Sequence, residues 1–321
     1  MDPRAWNDLS GEDDPFVEHA FLSLLEESGS VGRGSGWEPS HVTAWRGKKL
    51  VGALPLYLKT HSFGEYIFDW GWAVAASRIG IGYYPKLVAM VPVTPVTGRR
   101  FLFAPGEDPV PLVSRILDGC FEVADDARTS SLHLLFLSPE ERDWVAQDGR
   151  LMSRLSFQFH WQNEGYATFE DFVGEFRSSM RKKVRKERRV ASEAGLEIHK
   201  LQGDQISPEE WRSLEHLYRA TCGRKGSYPY LTPEFFEMAP TMLDGTPLVF
   251  AARDRGRTVA ASLNFAKGRH LYGRYWGATK RHDMLHFELC YYRLIEHAIE
   301  NRMQRFEAGA QGTHKLRRGL M

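Results

Sequence analysis

Glu307, Gln311, His314 and Lys315 fall within nine residues, EAGAQGTHK. Glycine and alanine between them give the backbone freedom to converge these polar groups, and loops of this make-up line sites. A carboxylate or neutral imidazole there can take a proton from an attacking amine, which makes Glu307, His314 and the more distant His286 candidate general bases. An amine can also lose its proton to water or to the substrate itself. Arg274 is the fourth candidate for catalysis. Strand alternation puts Arg274 and Trp276 on one face and Tyr275 on the other. A guanidinium there either pairs with an acid such as Glu307 or reaches a bound anion, where it would stabilise a developing oxyanion.

Three further groups suit anions. Trp276 shares the Arg274 face. Lys280, Arg281 and His282 precede a helix whose N-terminus already attracts negative charge, so they fit a phosphate or carboxylate as well as a solvated polar loop. SSMRKKVRKERRV places seven basic residues and one acid between Arg181 and Arg189. Such crowding costs a helix roughly a few tenths of a kcal/mol per i,i+4 pair, so Arg181, Lys182 and Arg185 are expected to meet an anion, with a solvated face as the alternative. No metal is expected: His282 and His286 lack the H-E-x-x-H order, and His282 stands before the helix. Neither a Ser-His-Asp nor a Cys-His arrangement can be argued, since no elbow motif is present.

The elements that must position these groups come from a chain of 321 residues with 42 Lys plus Arg against 41 Asp plus Glu. That balance excludes general coating of nucleic acid, and no sequence-specific DNA binding is expected. Cys120, Cys222 and Cys290 are odd in number and far apart, which fits free thiols and a cytoplasmic location. No run approaches the ~20 apolar residues of a membrane span. RGKKLVGALPL at 46–56 and RGRTVAASLNF at 255–265 each read as a hairpin turn between β-prone segments. Each precedes an aromatic segment, EYIFDWGWA or HLYGRYWGA, expected as a third strand, and each follows a capped helix opened by Asp14-Pro15 or Ser207-Pro208. From Leu196 the order strand, helix, helix, three antiparallel strands, helix, strand is that of a GNAT-type acyltransferase domain. Phe172, Phe176, Met180 and Val184 recur every four residues and predict one continuous basic helix over 169–194.

NEGYATFEDFVGEF, SSMRKKVRKERR and RYWGATKRHDMLHFELCYYRLIEHAIENRMQRFEAGAQGTHKLRRG resemble the FemAB-like group of bacterial GNAT-related proteins, over nearly the whole chain. The last stretch is the most specific. The resemblance implies an α/β fold with mixed sheets, in two tandem GNAT-like domains, 1–166 and 167–321, with a cleft between them. It implies transfer of an activated acyl or aminoacyl group to an amine. The donor would be an anionic aminoacyl-tRNA or acyl-coenzyme A, with no tightly bound cofactor. The acceptor would be an amine-bearing small molecule, peptide or cell-wall precursor. Arg181, Lys182, Arg185, Trp276, Lys280, Arg281, His282, Gln311 and Lys315 are then the expected substrate ligands. Two alternatives stand beside this reading: a noncatalytic protein that recognises a cell-wall precursor, and an acetyl-coenzyme A enzyme using SRIGIG at 77–82. Between the third strand of the second half and its helix, Ala278–His286 holds no glycine to cradle a pyrophosphate. Such proteins continue past the KLRRG region, whereas this sequence stops at Met321.

Overall fold

The computed structural model describes residues 1–309 and 312–321 and divides into two units, Met1–Ser156 and Phe157–Met321. In the first, Asp2 and Asp14 cap α1 (Pro3–Ser10) and a 3-10 turn that leads into α2 (His19–Glu27). Phe16, Val17, Phe21, Leu24 and Leu25 are all buried, as their spacing requires. The strands are β1 (Trp37–Pro39), β2 (Val42–Arg46), β3 (Lys49–Leu54), β4 (Tyr57–Lys59), β5 (Lys86–Ala89), β6 (Leu102–Phe103) and β7 (Leu132–Leu134). They form two sheets, ordered β1-β4-β5-β7 and β2-β3-β6. Three helices complete the unit: α3 (Trp70–Arg78), α4 (Pro109–Asp126) and α5 (Pro139–Val145). α4 buries Val113, Ile116, Leu117 and Cys120 against Leu54, Leu56, Leu87 and Ala89. Ser138 and Glu141 close a reciprocal capping box at the start of α5.

Both hairpins are present, each on a two-residue loop. Gly47 turns β2 into β3 at φ 62°, and Arg255-Gly256 turn the second at φ 50° and 77°. The aromatic third strand exists only in the second unit. In the first, EYIFDWGWA does not extend as a strand: Tyr66 and Phe68 sit at positive φ, and α3 starts at Trp70. The reason is electrostatic. Glu65 and Asp69 turn inward to the buried Lys86, and the alanines that follow favour helix.

The second unit is one six-stranded sheet. β8 (His160–Gln162), β9 (Glu197–Gln202), β10 (Pro247–Asp254), β11 (Arg257–Lys267), β12 (His270–Ala278) and β13 (Arg305–Glu307) run in the order β8-β13-β12-β11-β10-β9. β12 and β13 are parallel. β8, which falls within the first domain on the sequence-based boundary, pairs antiparallel with β13 and so sits in the second unit. The basic helix expected over 169–194 is two helices, α6 (Phe169–Gly174) and α7 (Ser178–Ser192). Arg177 between them is extended, and the Arg181 guanidinium donates to the freed carbonyls of Gly174 and Phe176 at 3.1 and 2.8 Å. α8 (Pro208–Lys225) lies on β12, with Gly277 where any Cβ would come within 2.4 Å of the Leu217 backbone. α9 (Pro233–Met242) follows. α10 (Leu285–Phe287) passes through a π turn, Glu288–Tyr292, into α11 (Arg293–Glu300), and a 3-10 segment, Thr313–Arg318, ends the chain.

Candidate functional site

Arg274 occupies a β-bulge. β11 and β12 pair Leu263 with Tyr275 and Asn264 with Gly273, which leaves Arg274 with no opposite residue. A bulge re-aims its side chain and loosens the ladder beside it. The guanidinium lies 5.3 Å from the Tyr275 ring. Next to it, the buried Asn264 amide donates to Leu248 O and Ser262 Oγ, both at 3.0 Å, and the Ser262 hydroxyl donates to Leu289 O at 2.9 Å. Leu289 is in the π turn, so two irregularities, one in the sheet and one in the helix, are joined by a satisfied polar chain.

From there contacts run to the tail. The Trp276 and His286 rings are 5.2 Å apart, and His286 and Tyr291 5.6 Å. The Tyr291 hydroxyl and His314 Nε2 are 3.1 Å apart. Arg318 stacks 3.5 Å over Phe287, donates to His314 O at 2.9 Å, and places Nη2 2.8 and 2.9 Å from the Glu187 carboxylate. Lys315, 4 % exposed, donates to Gly309 O at 2.8 Å. Burial, with Arg274 adding repulsion, pushes its ammonium down to about 8. Burial holds His286 down to about 4, helped by Lys225, so that ring is neutral at pH 7. His314 also lies below its ordinary value, through burial and then Arg318.

The structure thus brings Arg274, Trp276, His286, His314 and Lys315 into one constellation built from β12, the π-turn helix and the tail. Glu307 is buried on β13, with Oε1 3.0 Å from Arg305 and Oε2 3.5 Å from His160. Lys280 and Arg281 are exposed, and Arg281 pairs with Asp283 at 3.3 Å. His282 is half-buried in the same loop, its pKa lowered by burial and then by Lys280. Gln311 lies outside the described residues. The basic run is largely tied to the protein: Arg185 pairs with Glu170 at 2.7 Å, while Arg188 reaches Glu288 and Glu296 at 3.0 and 3.1 Å. Lys182 and Lys186 are exposed. SRIGIG closes α3 and runs toward β5, so its glycines precede no helix N-terminus and lack the geometry of a pyrophosphate cradle.

Sequence reasoning missed Tyr291 and Arg318. Tyr291 reads as one more apolar position of a helix stripe, and Arg318 was visible only as part of the KLRRG run. Among the described residues no group of three His, Cys, Asp or Glu is placed to hold a metal ion, and no helix is long and apolar enough to cross a membrane.

Two α/β units, the second carrying a mixed sheet with a bulged central strand, define a tandem GNAT-like protein. Within that class the chain belongs to the FemAB-like family, described as peptidoglycan biosynthesis/recognition, which it matches over residues 1–321. It is similar to FemX with a TM-score of 0.55 and 11 % identity, over 96 % of this chain and 86 % of that one. It is similar to the C-terminal DUF2156 domain of a putative lysylphosphatidylglycerol synthetase from Agrobacterium fabrum, TM-score 0.58 and 10 % identity, over 96 % and 76 %. A conserved protein of unknown function from Bacteroides thetaiotaomicron gives 0.56 and 10 %, over 99 % and 92 %. At these identities the likeness is one of fold. No curated protein matches.

Proposed function

We propose that this chain transfers an activated aminoacyl or acyl group to an amine of a cell-wall precursor, with Arg274 and Lys315 at the transfer site. The observation that carries the reading is Lys315. A lysine 4 % exposed, fixed on a carbonyl at 2.8 Å and lowered to about 8, is cationic at pH 7 yet able to give up a proton. In a site shielded from water such a cation stabilises a developing oxyanion far more than it would in solution. The acceptor amine attacks the acyl carbonyl carbon and a C–N bond forms. The C–O bond to a tRNA ribose, or the C–S bond to coenzyme A, breaks. Lys315 protonates the leaving oxygen or sulfur, and the surplus amine proton passes to His286, His314 or solvent. The family description supports the cell-wall acceptor, and the name of lysylphosphatidylglycerol synthetase, a protein of similar fold, supports an aminoacyl donor.

The test supplies the purified chain with labelled aminoacyl-tRNA and a nucleotide-linked muropeptide and follows label into the peptide. Lys315→Met is expected to lower kcat by about a hundredfold with little change in KM, and Lys315→Arg to retain part of the rate. Muropeptide binding without turnover, with any donor, would assign the chain to recognition instead. Thermal stabilisation by coenzyme A but not by charged tRNA would make acyl-coenzyme A the donor.

A further inference from the structure

The segment between β4 and β5, residues 60–85, is built inside out. Lys59 and Lys86 stand directly opposite each other on the paired ends of these strands, an unfavourable juxtaposition of like charge. The segment folds its two acids over them. Lys86 Nζ lies 2.7 Å from Glu65 Oε2 and 2.6 Å from Asp69 Oδ2, and all three side chains are fully buried. The Tyr83 hydroxyl donates to Asp69 at 2.6 Å, and Lys59 donates to Phe63 O at 3.1 Å while its ammonium sits 3.6 Å over Trp37. Glu65 and Asp69 are the segment's only carboxylates, so its outer surface carries none.

What that surface does carry is apolar. α3 has no buried residue. Phe68, Trp70, Trp72, Val74, Ile79 and Ile81 are exposed, Trp72 by 63 % and Ile79 by 72 %. The one charge among them is Arg78, at the last residue of α3. Exposed apolar patches of this kind mark interaction surfaces. At nine residues α3 is far too short to span a hydrocarbon core ~30 Å thick, so it would lie on a bilayer and not cross it. Tryptophan favours the headgroup boundary, where its ring is covered and its N–H stays solvated, and a single arginine on a segment that exposes no carboxylate matches an anionic leaflet.

We propose that residues 63–82 form a docking surface for an anionic lipid bilayer, with Trp70, Trp72, Ile79 and Ile81 entering the interface and Arg78 at the headgroups. The buried Lys86 staple holds both acids away from the lipid and fixes the outward aromatic face. The inference is independent of the transfer chemistry, because vesicle binding needs neither donor nor acceptor. The full chain is sedimented with vesicles of phosphatidylcholine alone and of phosphatidylcholine mixed with phosphatidylglycerol. Binding to the mixed vesicles is expected, reduced by at least about tenfold in Trp72→Ser/Ile79→Ser, and unchanged in Trp45→Ser, an exposed tryptophan outside the segment. Arg78→Glu is expected to remove the preference for the anionic vesicles. These substitutions are at exposed positions, and unchanged circular dichroism checks the fold. Absence of binding by the native chain, or binding unaltered in the double variant, overturns the proposal. So does sedimentation velocity showing a native dimer that the double variant converts to monomer, which would make the face a contact between copies.

Discussion

Replacing Glu187 with leucine should cost the second unit about 3–5 kcal/mol, the loss that follows when one partner of a buried ion pair is removed. Glu187 is 5 % exposed on α7 and Arg318 3 % exposed in the tail. The carboxylate accepts from Arg318 at 2.8 and 2.9 Å and from the Tyr292 hydroxyl. Once it is gone, Arg318, 3 % exposed, keeps His314 O and the face of Phe287 as partners but no counter-charge from Glu187. Most of the loss is therefore the desolvation of an orphaned guanidinium, not the net worth of the pair. The double variant Glu187→Leu/Arg318→Met should then recover at least about 2 kcal/mol of it. Urea unfolding of the full chain at pH 7 measures both, and hydrogen exchange over 312–321 reports whether the tail has come loose. If the single variant costs under about 1 kcal/mol, or the double variant costs the sum of the two singles, the pair does not fasten the tail that carries Lys315.

Gly277→Ala should destabilise by about 2–3 kcal/mol in the same assay, because a Cβ 2.4 Å from the Leu217 backbone forces α8 off β12. Lys315, lowered from 10.5 to about 8, binds its proton less well folded than unfolded, so stability rises between those pH values. The gain approaches about 3 kcal/mol and should vanish from the difference curve of Lys315→Met. His286, His133 and His297 are each held down to about 4 by burial. Their unfolded forms take up protons first, so melting temperature should fall as pH drops from 6.5 toward 4, and His297→Gln should blunt the fall. Reversing the exposed Lys182 and Lys186 to glutamate should weaken tRNA binding at low salt and much less at high salt. Unchanged low-salt affinity would remove α7 from the donor path.

Local rules read much of this molecule. Hairpin turns at Gly47 and Gly256, caps at Asp14, Ser138 and Ser207, and the apolar stripe of α4 follow from spacing and backbone preference alone. The tail motif stands out in the sequence as a candidate site because small residues and polar groups share one short stretch there. The bulge at Arg274 was not legible. It depends on the register of β11, and nothing in HLYGRYWGA marks where the register shifts. α3 was misread for a similar reason. EYIFDWGWA is aromatic-rich and follows a hairpin like a third strand, but Lys86, some twenty residues on, draws Glu65 and Asp69 inward and breaks the extension.

The basic run shows how charge density misleads when the partners are distant in sequence. Arg181, Arg185 and Arg188 line one flank of α7, which along the chain looks like a surface awaiting phosphate. In space Arg181 caps α6, Arg185 meets Glu170, and Arg188 lies 100 residues from its partner Glu288 in sequence yet 3.0 Å away. Glu288 is 3 % exposed and also takes Arg293 at 2.9 Å, and both guanidiniums reach Glu296 as well, at 3.1 and 3.2 Å, so two arginines and two carboxylates form one network at the π turn. A desolvated carboxylate needs a charged partner, and α7 is packed closely enough on the π turn to supply Arg188. Arg188 is thus explained by the π turn it supports, and Arg181 by the carbonyls at the end of α6. Lys183 and Arg189 are exposed too but lie 4.0 and 3.6 Å from Glu187 and Glu193, which is why the charge-reversal test belongs on the outward Lys182 and Lys186.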